Sequence, residues 1–324
     1  MTISRRSFFK VGALASAGLA TPHIMTRAAF AEGHAATTMP AAFERFSLGD
    51  FQVTVLSDGH NVRENIHTIF GVDQGEEAVN ALLAQNYLPA GNAQFTFAPT
   101  LVNTGDDLIL FDTGLGEGAR GGGLGQTRPN LIASGYQPED VTIVVLTHMH
   151  PDHINGLTEG DAPAYPNARY VTGQVEYDFF SSADRVGTPA EGVYNAVQSK
   201  VAPLADKMTF VAPGEAVVPG VTPMAAFGHT PGHMIYMLES GGKSLVLTAD
   251  TANHFVLSLQ KPDWEVVFDI DKAAAAQTRK DVFGMLAADR LPFIGYHMPF
   301  PSVGFVEPMG DGFRFIPETY QFDI

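Results

Sequence analysis

Short apolar runs alternate with clusters of turn residues along most of the chain, from Phe46 onward. Runs such as Phe51 to Leu56 and Val141 to Leu146 are typical of buried β-strands. The segment from Lys272 to Ala288 is rich in alanine and other helix formers, and it gives the clearest prediction of a helix. Alternating strands and helices, with the early strands in hairpins, predict an α/β protein with two mixed β-sheets and outer helices.

The same pattern predicts the remaining elements and one loop. The glycine-rich segment 118–130 lacks the Lys-Ser or Lys-Thr ending of a phosphate-binding loop, so we interpret it as a flexible loop. Residues Thr100 to Gly114 predict a hairpin that turns at Gly105-Asp106-Asp107. Two further helices are predicted, at Gly75–Gln85 and at about Gly173–Ser181. The other predicted strands are Arg169–Thr172, a strand that ends at Gly228, Ser244–Leu247, and Leu291–His297 as the last strand.

Composition limits the chemistry that the chain can carry. It has 324 residues, 45% of them hydrophobic, which is enough for one large domain or two small ones with a sizeable buried core. It contains no cysteine, so it has no disulfide framework, no thiolate metal ligand and no cysteine nucleophile. Any metal site must therefore be built from histidine, aspartate or glutamate.

The first 31 residues match an export signal. Ser4 to Lys10 includes the paired arginines of the twin-arginine pattern, and Ala29-Phe30-Ala31 is a candidate cleavage site. The alternative is a membrane anchor, but the apolar run in between is too short and too rich in glycine and alanine to span a bilayer. We expect a cleaved signal at 1–31, a flexible leader at 32–42, a folded domain at 43–324, and a periplasmic or secreted protein.

The charge balance excludes two classes of partner. The formal net charge is −16, and removal of residues 1–31 takes away four basic and no acidic groups, which leaves −20. A strongly acidic protein repels phosphate backbones, so we expect no nucleic-acid partner. No polybasic patch points to anionic lipid, so we expect no membrane partner after signal cleavage.

Histidines and acidic residues recur where predicted strands end. In open α/β architectures these ends are where sites are built. Imidazole and carboxylate groups suit zinc or a similar divalent ion, and seven candidates are too many for one ion but suit two ions that share a carboxylate. The candidates are His148, His150, Asp152, His153, His229, Asp250 and His297.

These motifs resemble the metallo-β-lactamase-fold hydrolases, whose fold is an αβ/βα four-layer sandwich. Thr147 to His153 fits their H-x-H-x-D-H signature, and the supporting motifs follow in the family's order. Gly295 to Pro317 is similar to the end of the branch that holds methyl parathion hydrolase and related lactonases. The supporting motifs are Phe111-Asp112-Thr113-Gly114, Gly228-His229-Thr230-Pro231-Gly232-His233, Asp250 and His297.

The resemblance implies a role for each residue. His148, His150 and His229 would hold one ion, Asp152, His153 and His297 the other, and Asp250 would bridge them. The implied nucleophile is a hydroxide shared by the two ions, most simply zinc, although manganese, cobalt or iron suit the same ligands. Asp152 and Asp250 are then catalytic, whereas Asp112 and His233 are expected to orient ligands without binding metal.

Aromatic residues offer candidates for an apolar substrate pocket. Phe179, Phe180, Trp264 and Phe300 are the candidates, although aromatic side chains are more often simply part of a core. Taken one at a time, most histidines in proteins are surface or hydrogen-bonded core residues, and we interpret His60 and His67 in that way.

Several functions fit this ligand set. We expect a dinuclear hydrolase of lactones or carboxylic esters, with organophosphate triester hydrolysis as a possible side activity and a homodimer implied only by resemblance. A β-lactamase is an alternative, but the Asp250 bridge and the His297 ligand belong to other branches of the family. A metal-dependent binding protein without catalysis is the alternative from another class, and the complete ligand set argues against it. The acidic charge argues against a nuclease, the short segment after His297 against a glutathione thioesterase, and the number of ligands against a mononuclear iron oxygenase.

Overall fold

The computed structural model describes residues 42–318, so the predicted signal at 1–31 and the leader up to residue 41 lie outside the described residues. The strands are β1 Phe43–Leu48, β2 Phe51–Leu56, β3 His60–Glu64, β4 Asn92–Thr96, β5 Thr100–Asn103, β6 Leu108–Phe111, β7 Ile143–Val145, β8 Thr158–Glu159, β9 Ala162–Pro163, β10 Arg169–Gly173, β11 Met208–Val211, β12 Val221–Ala225, β13 Met234–Ser240, β14 Lys243–Ala249, β15 Phe293–Gly295, β16 Val303–Met309 and β17 Gly312–Pro317.

The helices lie between and outside these strands. The α-helices are α1 Glu76–Gln85, α2 Thr127–Ala133, α3 Pro151–Ile154, α4 Gln174–Ser181, α5 Glu191–Lys200, α6 Leu257–Gln260 and α7 Lys272–Asp289. Short 3-10 helices occupy Ile66–Thr68, Glu117–Gly122, Pro138–Asp140, Asn155–Leu157, Ala183–Arg185 and Ala202–Lys207. No helix within residues 42–318 is long and apolar enough to cross a membrane.

Two mixed sheets form the centre of the fold. The first has seven strands in the order β1-β2-β5-β6-β7-β10-β11, and the second has six in the order β12-β13-β14-β15-β16-β17. In the first sheet β6, β7, β10 and β11 run parallel, and in the second β14 and β15 do. Strands β6 and β7 are buried along their whole length, as expected of parallel strands covered on both faces.

Apolar side chains bury both faces of each sheet. One cluster joins Val53, Ile109 and Val145 of the first sheet to Tyr236 and Leu247 of the second, so the sheets pack face to face. The outer face of the first sheet is covered by α2, α3, α4 and α5, and that of the second by α7. Burial of each large apolar side chain contributes roughly 1.5–3 kcal/mol. The predicted architecture of two mixed sheets with outer helices is confirmed.

Several local predictions are corrected by the structure. The glycine-rich segment 118–130 is not a plain loop, because it contains most of a 3-10 helix and the first half of α2. The strand at 291–297 shortens to β15 and is not the last, since the β16–β17 hairpin follows it. The strand expected to end at Gly228 ends at Ala225, and His60 lies exposed at the start of β3.

The topology brings the functional strand ends together. Strands β6, β7 and β10 are parallel, so their carboxyl ends lie at one edge of the first sheet. Strands β14 and β15 likewise end side by side in the second sheet. Residues just after these strands therefore meet at one rim of the sandwich, which is where α/β folds build sites.

Candidate metal centre

The seven predicted ligands gather at this rim in two sets. His148, His150, His229 and Asp250 offer ligand atoms that all lie within 4.8 Å of one another. Asp152, His153, Asp250 and His297 form the second set by the same measure. These are the two sets predicted from the sequence, with Asp250 common to both. The geometry fits two ions, and metal binding itself stays a prediction.

The H-x-H-x-D-H segment is shaped by the start of a short helix. His150 is the N-cap of α3, with extended backbone angles, and Pro151 occupies the first helical position, where proline is favoured. Asp152 follows in the first turn, where the helix dipole favours a carboxylate. The turn places His148 and His150 on one side and Asp152 and His153 on the other, which separates the two sets.

Three ligand imidazoles are held by their Nδ1 atoms. His153 Nδ1 lies 2.8 Å from Asp112 Oδ2, and His229 Nδ1 lies 2.9 Å from Asp269 Oδ1. His297 Nδ1 lies 2.9 Å from the carbonyl oxygen of Thr96. An Nδ1–H that donates to oxygen leaves the lone pair on Nε2, which faces the centre in each case. The hydrogen bonds thus select the tautomer that can bind metal.

Asp112 and His233 lie where the sequence predicted supporting residues. Asp112 follows β6 and accepts hydrogen bonds from the backbone N–H and the hydroxyl of Thr147, besides its contact with His153. His233 donates from Nδ1 to the carbonyl oxygen of Ala226 and accepts the backbone N–H of Asp250 at Nε2. Burial lowers the pKa of His233 to about 3, so this imidazole is neutral. His233 positions Asp250 without being a member of either set.

The electrostatics of the centre favour bound cations. Burial lowers the pKa values of His148 and His150 well below the usual range, and neighbouring imidazoles add to the effect, so both rings keep a free lone pair. Burial also lowers the pKa of His153, but Asp250, Asp112 and Asp152 outweigh it and raise that pKa well above normal. Burial alone would raise the pKa of Asp250, yet the surrounding histidines hold it well below its usual range. The carboxylates thus attract positive charge to this hollow.

Two buried atoms test whether the residues fit a metal. His153 Nε2 and Asp250 Oδ1 are buried, make no hydrogen bond, and lie 3.2 Å apart. Buried polar atoms without partners are uncommon in proteins and call for an explanation. Two electron-pair donors that face the same space, in a donor set of only imidazole and carboxylate, fit a divalent ion of the zinc type. The site therefore fits the metal that the sequence predicted.

Sequence reasoning missed a buried acid, Glu176, that joins two ligand loops. Its carboxylate accepts the backbone N–H of Met149, the Thr230 hydroxyl and the backbone N–H of Gly232. Burial raises its pKa to about 7, although these hydrogen bonds oppose the shift. Gly232 packs so closely on the Glu176 backbone that a Cβ would lie 2.3 Å from its amide nitrogen. In the sequence Glu176 is one more acidic residue in a helix, and no spacing marks it.

A second buried acid, Asp269, was also missed. Its Oδ2 accepts a hydrogen bond of 2.8 Å from Arg279 Nη2, and both side chains are 1% exposed. Arg279 also donates to the carbonyl oxygens of Thr251 and Pro262, and Asp269 contacts His229, so α7 is linked to the segments that carry Asp250 and His229. Tyr296 is a further supporting residue, because its ring stacks on His153 at 3.9 Å and its hydroxyl donates to the Asp152 carbonyl oxygen. In the sequence Arg279 is one of several charged residues of α7, and no pattern marks it as buried.

A cavity of about 750 Å³ opens onto the centre. Of the predicted pocket residues, Phe179 and Phe180 line it, whereas Trp264 and Phe300 do not. Phe180 is fully buried and packs in the core, so it is a core residue that also borders the cavity. The remaining apolar wall includes Phe95, Phe97, Leu115, Leu124, Val193, Val267, Phe268 and Ile270.

Curated proteins with similar sequences include N-acyl homoserine lactonases. Among curated proteins, an N-acyl homoserine lactonase of a Bacillus species is 26% identical over 172 residues, which are 48% of this chain and 62% of that enzyme. The N-acyl homoserine lactonase of Bacillus thuringiensis is 26% identical over 171 residues, with coverage of 47% and 62%. The chain therefore matches less than two thirds of the length of these curated relatives.

Two solved structures are similar over almost their whole length. AidC, a dizinc quorum-quenching lactonase in complex with a product N-hexanoyl-L-homoserine, has a TM-score of 0.78, 26% identity, and coverage of 86% of this chain and 98% of that one. The hydrolase AbOPH of the beta-lactamase superfamily has a TM-score of 0.80, 29% identity, and coverage of 88% and 100%.

The family assignment follows from these matches. The methyl parathion hydrolase branch and the export signal stay predictions from the sequence. The profile of the metallo-beta-lactamase superfamily matches residues 99–292, more than half of the chain, and this confirms the family that the motifs predicted. The chain belongs to the metallo-beta-lactamase superfamily.

Proposed function

We propose that this protein is a dinuclear metal-dependent hydrolase that opens lactones, with carboxylic esters as related substrates. The observation that carries the proposal is the pair of four-ligand sets that share Asp250 at the base of one cavity. The lactonases among its relatives, and the dizinc centre named for AidC, support the substrate class and the two-ion site.

The chain's own residues supply the orientation and the charge. Two divalent ions, zinc foremost, would supply Lewis acidity toward an ester carbonyl and would make water nucleophilic near neutral pH. His153, His229 and His297 each present Nε2 inward because a fixed acceptor holds Nδ1. Asp250 contributes negative charge to both sets from a side chain that is 4% exposed.

Asp152 is placed for proton transfer in this reaction. Its side chain is 21% exposed, far more than that of Asp250, and it lines the cavity. Tyr296 fixes its backbone, so the carboxylate stays at the boundary between the metal centre and the substrate space. In that position it can hold a proton for the alcohol oxygen that leaves as the lactone ring opens.

Metal analysis combined with a substrate panel tests the proposal. The purified protein is loaded with zinc, its metal content is measured, and rates are compared on a lactone, an aryl ester, a phosphotriester and a β-lactam. We expect two ions per chain, the highest rate on the lactone, and loss of activity with a chelator. Full loading with two ions and no hydrolysis of any substrate would instead support a binding protein.

The panel also decides the predictions that reach beyond the proposal. A phosphotriester rate above background would support the organophosphate side activity, and a dominant β-lactam rate would replace the lactonase proposal. We further propose export through the twin-arginine signal at residues 1–31, tested by fractionation of cells that express the protein with or without a paired Arg5→Lys and Arg6→Lys change. Size-exclusion chromatography with light scattering tests the predicted homodimer.

A further inference from the structure

The cavity has an unusual distribution of charge. Its ionisable lining residues are members of the two metal sets, Asp269, Arg63 and Arg185. Asp269 contacts His229, so the two arginines are the ones that do not belong to the metal centre. The chain as a whole carries 35 acidic and 19 basic residues, so a random stretch of surface would be mostly acidic. A cavity wall with two arginines and no further carboxylate is therefore a positive feature of an otherwise negative protein.

Arg185 lies at the end of a row of rings that begins at the metal centre. The ring of Phe180 is 6.1 Å from that of His150, and the ring of Phe179 is 4.9 Å from that of Phe180. The Arg185 guanidinium carbon lies 4.3 Å from the centre of the Phe179 ring. The cavity thus offers an apolar path that starts at an ion ligand and ends at a cation.

Neither arginine has an ion-pair partner among residues 42–318. Other arginines of the protein do, as shown by the Arg120–Glu159, Arg279–Asp269 and Arg314–Glu307 pairs. The Nε atom of Arg185 is moreover buried and makes no hydrogen bond. A guanidinium that lies over an aromatic ring can still present its planar set of N–H donors, and that set suits a carboxylate.

We propose that Arg185 selects substrates whose acyl chain ends in an anionic group, a carboxylate foremost. The ester or lactone would lie at the metal centre, the chain along the half-buried ring of Phe179, and the anion on Arg185. This inference rests on the proposed function, because it names the substrate class of the same site. The competing explanation is that Arg185 only packs its stem and guanidinium on Phe179 and extends toward water.

A matched pair of lactones tests the proposal. Both carry the same straight chain, which ends in a methyl group in one and in a carboxylate in the other, and kcat/KM is measured for each with the zinc-loaded protein. We expect the native protein to favour the anionic lactone about tenfold, which is the lower end for a hydrogen bond to a charged group. That ratio should fall toward one in Arg185→Gln and recover in part in Arg185→Lys. In the native protein the ratio should decrease from about tenfold as salt is added.

The control variant is Arg290→Gln, which removes the same charge from an exposed position outside the cavity wall. It should keep the native ratio. A native ratio near one, or equal ratios in the native protein and Arg185→Gln, would overturn the inference. The proposed function would still stand in that case if the neutral lactone is hydrolysed.

The affinities of the ring-opened products provide a second test, which does not depend on catalytic activity. The zinc-loaded protein is titrated by calorimetry with the hydroxy acid that ends in a methyl group and with the one that ends in a carboxylate. We expect the dicarboxylate to bind about tenfold more tightly, and this preference to be lost in Arg185→Gln. If neither lactone is hydrolysed but this preference holds, the proposed function fails and the anion site stands. Equal affinities in all variants would refute the anion site.

Discussion

Substitution of Asp269 by asparagine tests how α7 supports the metal centre. Asp269 lies between His229, which belongs to one metal set, and Arg279, which projects from α7. Asparagine has almost the same shape but no charge. It can still accept the hydrogen bond from His229 Nδ1, but its amide nitrogen then meets Arg279 Nη2, which is also a donor.

The expected cost follows from the burial of this pair. Both side chains are 1% exposed, so Arg279 would keep a buried positive charge with no carboxylate beside it and only the carbonyl oxygens of Thr251 and Pro262 as acceptors. Breaking a buried pair by removal of one partner costs about 3–5 kcal/mol. Loss of the carboxylate behind His229 should also weaken binding of the ion at that set by roughly 10–100-fold, as is typical for residues that orient a metal ligand.

Asp263→Asn is the matched control for this variant. Asp263 lies in the same segment and pairs with Lys280, the neighbour of Arg279, but these side chains are 64% and 36% exposed. A solvent-exposed pair of this kind is worth at most about 1 kcal/mol. The measurements are urea unfolding of the metal-free proteins, followed by competition for zinc with a chelator of known affinity.

The two outcomes separate clearly. Asp269→Asn should lose several kcal/mol of unfolding free energy and bind one of its two ions more weakly, whereas Asp263→Asn should match the native protein in both. Equal unfolding free energies for the two variants, together with native zinc affinity in Asp269→Asn, would show that the buried pair does not support His229.

Three further predictions address the shared ligand, a buried acid and the aromatic wall. Asp250→Ala should lose one ion and nearly all turnover, as measured by metal analysis and rates, and full loading with native activity would disprove the bridge. Glu176 has a folded-state pKa of about 7 against 4.5 when unfolded, so folding favours its protonated form and stability is lost as pH rises through 7. The metal-free protein should therefore lose up to about 3 kcal/mol of unfolding free energy between pH 4.5 and 8, and Glu176→Gln should flatten that dependence; an unchanged profile would contradict the assignment. Phe180→Ala should cost about 3–5 kcal/mol because the ring is fully buried, whereas Phe300→Ala should leave KM for the lactone unchanged, and a raised KM would place Phe300 at the substrate after all.

The seven candidate ligands could be found from the sequence because their spacing is local or follows strand ends. A parallel sheet aligns carboxyl ends, so residues after β6 and β7 must meet, and β14 and β15 repeat this in the second sheet. The glycine-rich segment was predicted wrongly because a contact distant in the sequence shapes it. Its helical turns depend on Asp58, which accepts backbone N–H groups of Leu115, Gly125 and Thr127 from a distant strand end.

Long-range supporting contacts could not be predicted in the same way. The Glu176 carboxylate acts on residues that are 27 to 56 positions away, and Arg279 reaches Asp269 only because α7 packs on the second sheet. The wall of the cavity likewise combines β3, α4 and the segment before α7, which no single pattern links. Phe300 was chosen because it follows His297 by three residues, but the chain turns after β15 and carries that ring outside the wall.

The division of ligands between the sheets has a consequence for how the protein matures. Each set takes two ligands from the loop after β7 and two from the segment 229–297. Neither segment on its own therefore supplies more than two ligands to either ion. Metal binding must therefore follow the packing of the two sheets, and each bound ion then stabilises the contact between the two segments. Loss of the second half would remove two ligands from each site, and we expect the metal-free protein to be cut faster by proteases than the metal-loaded one.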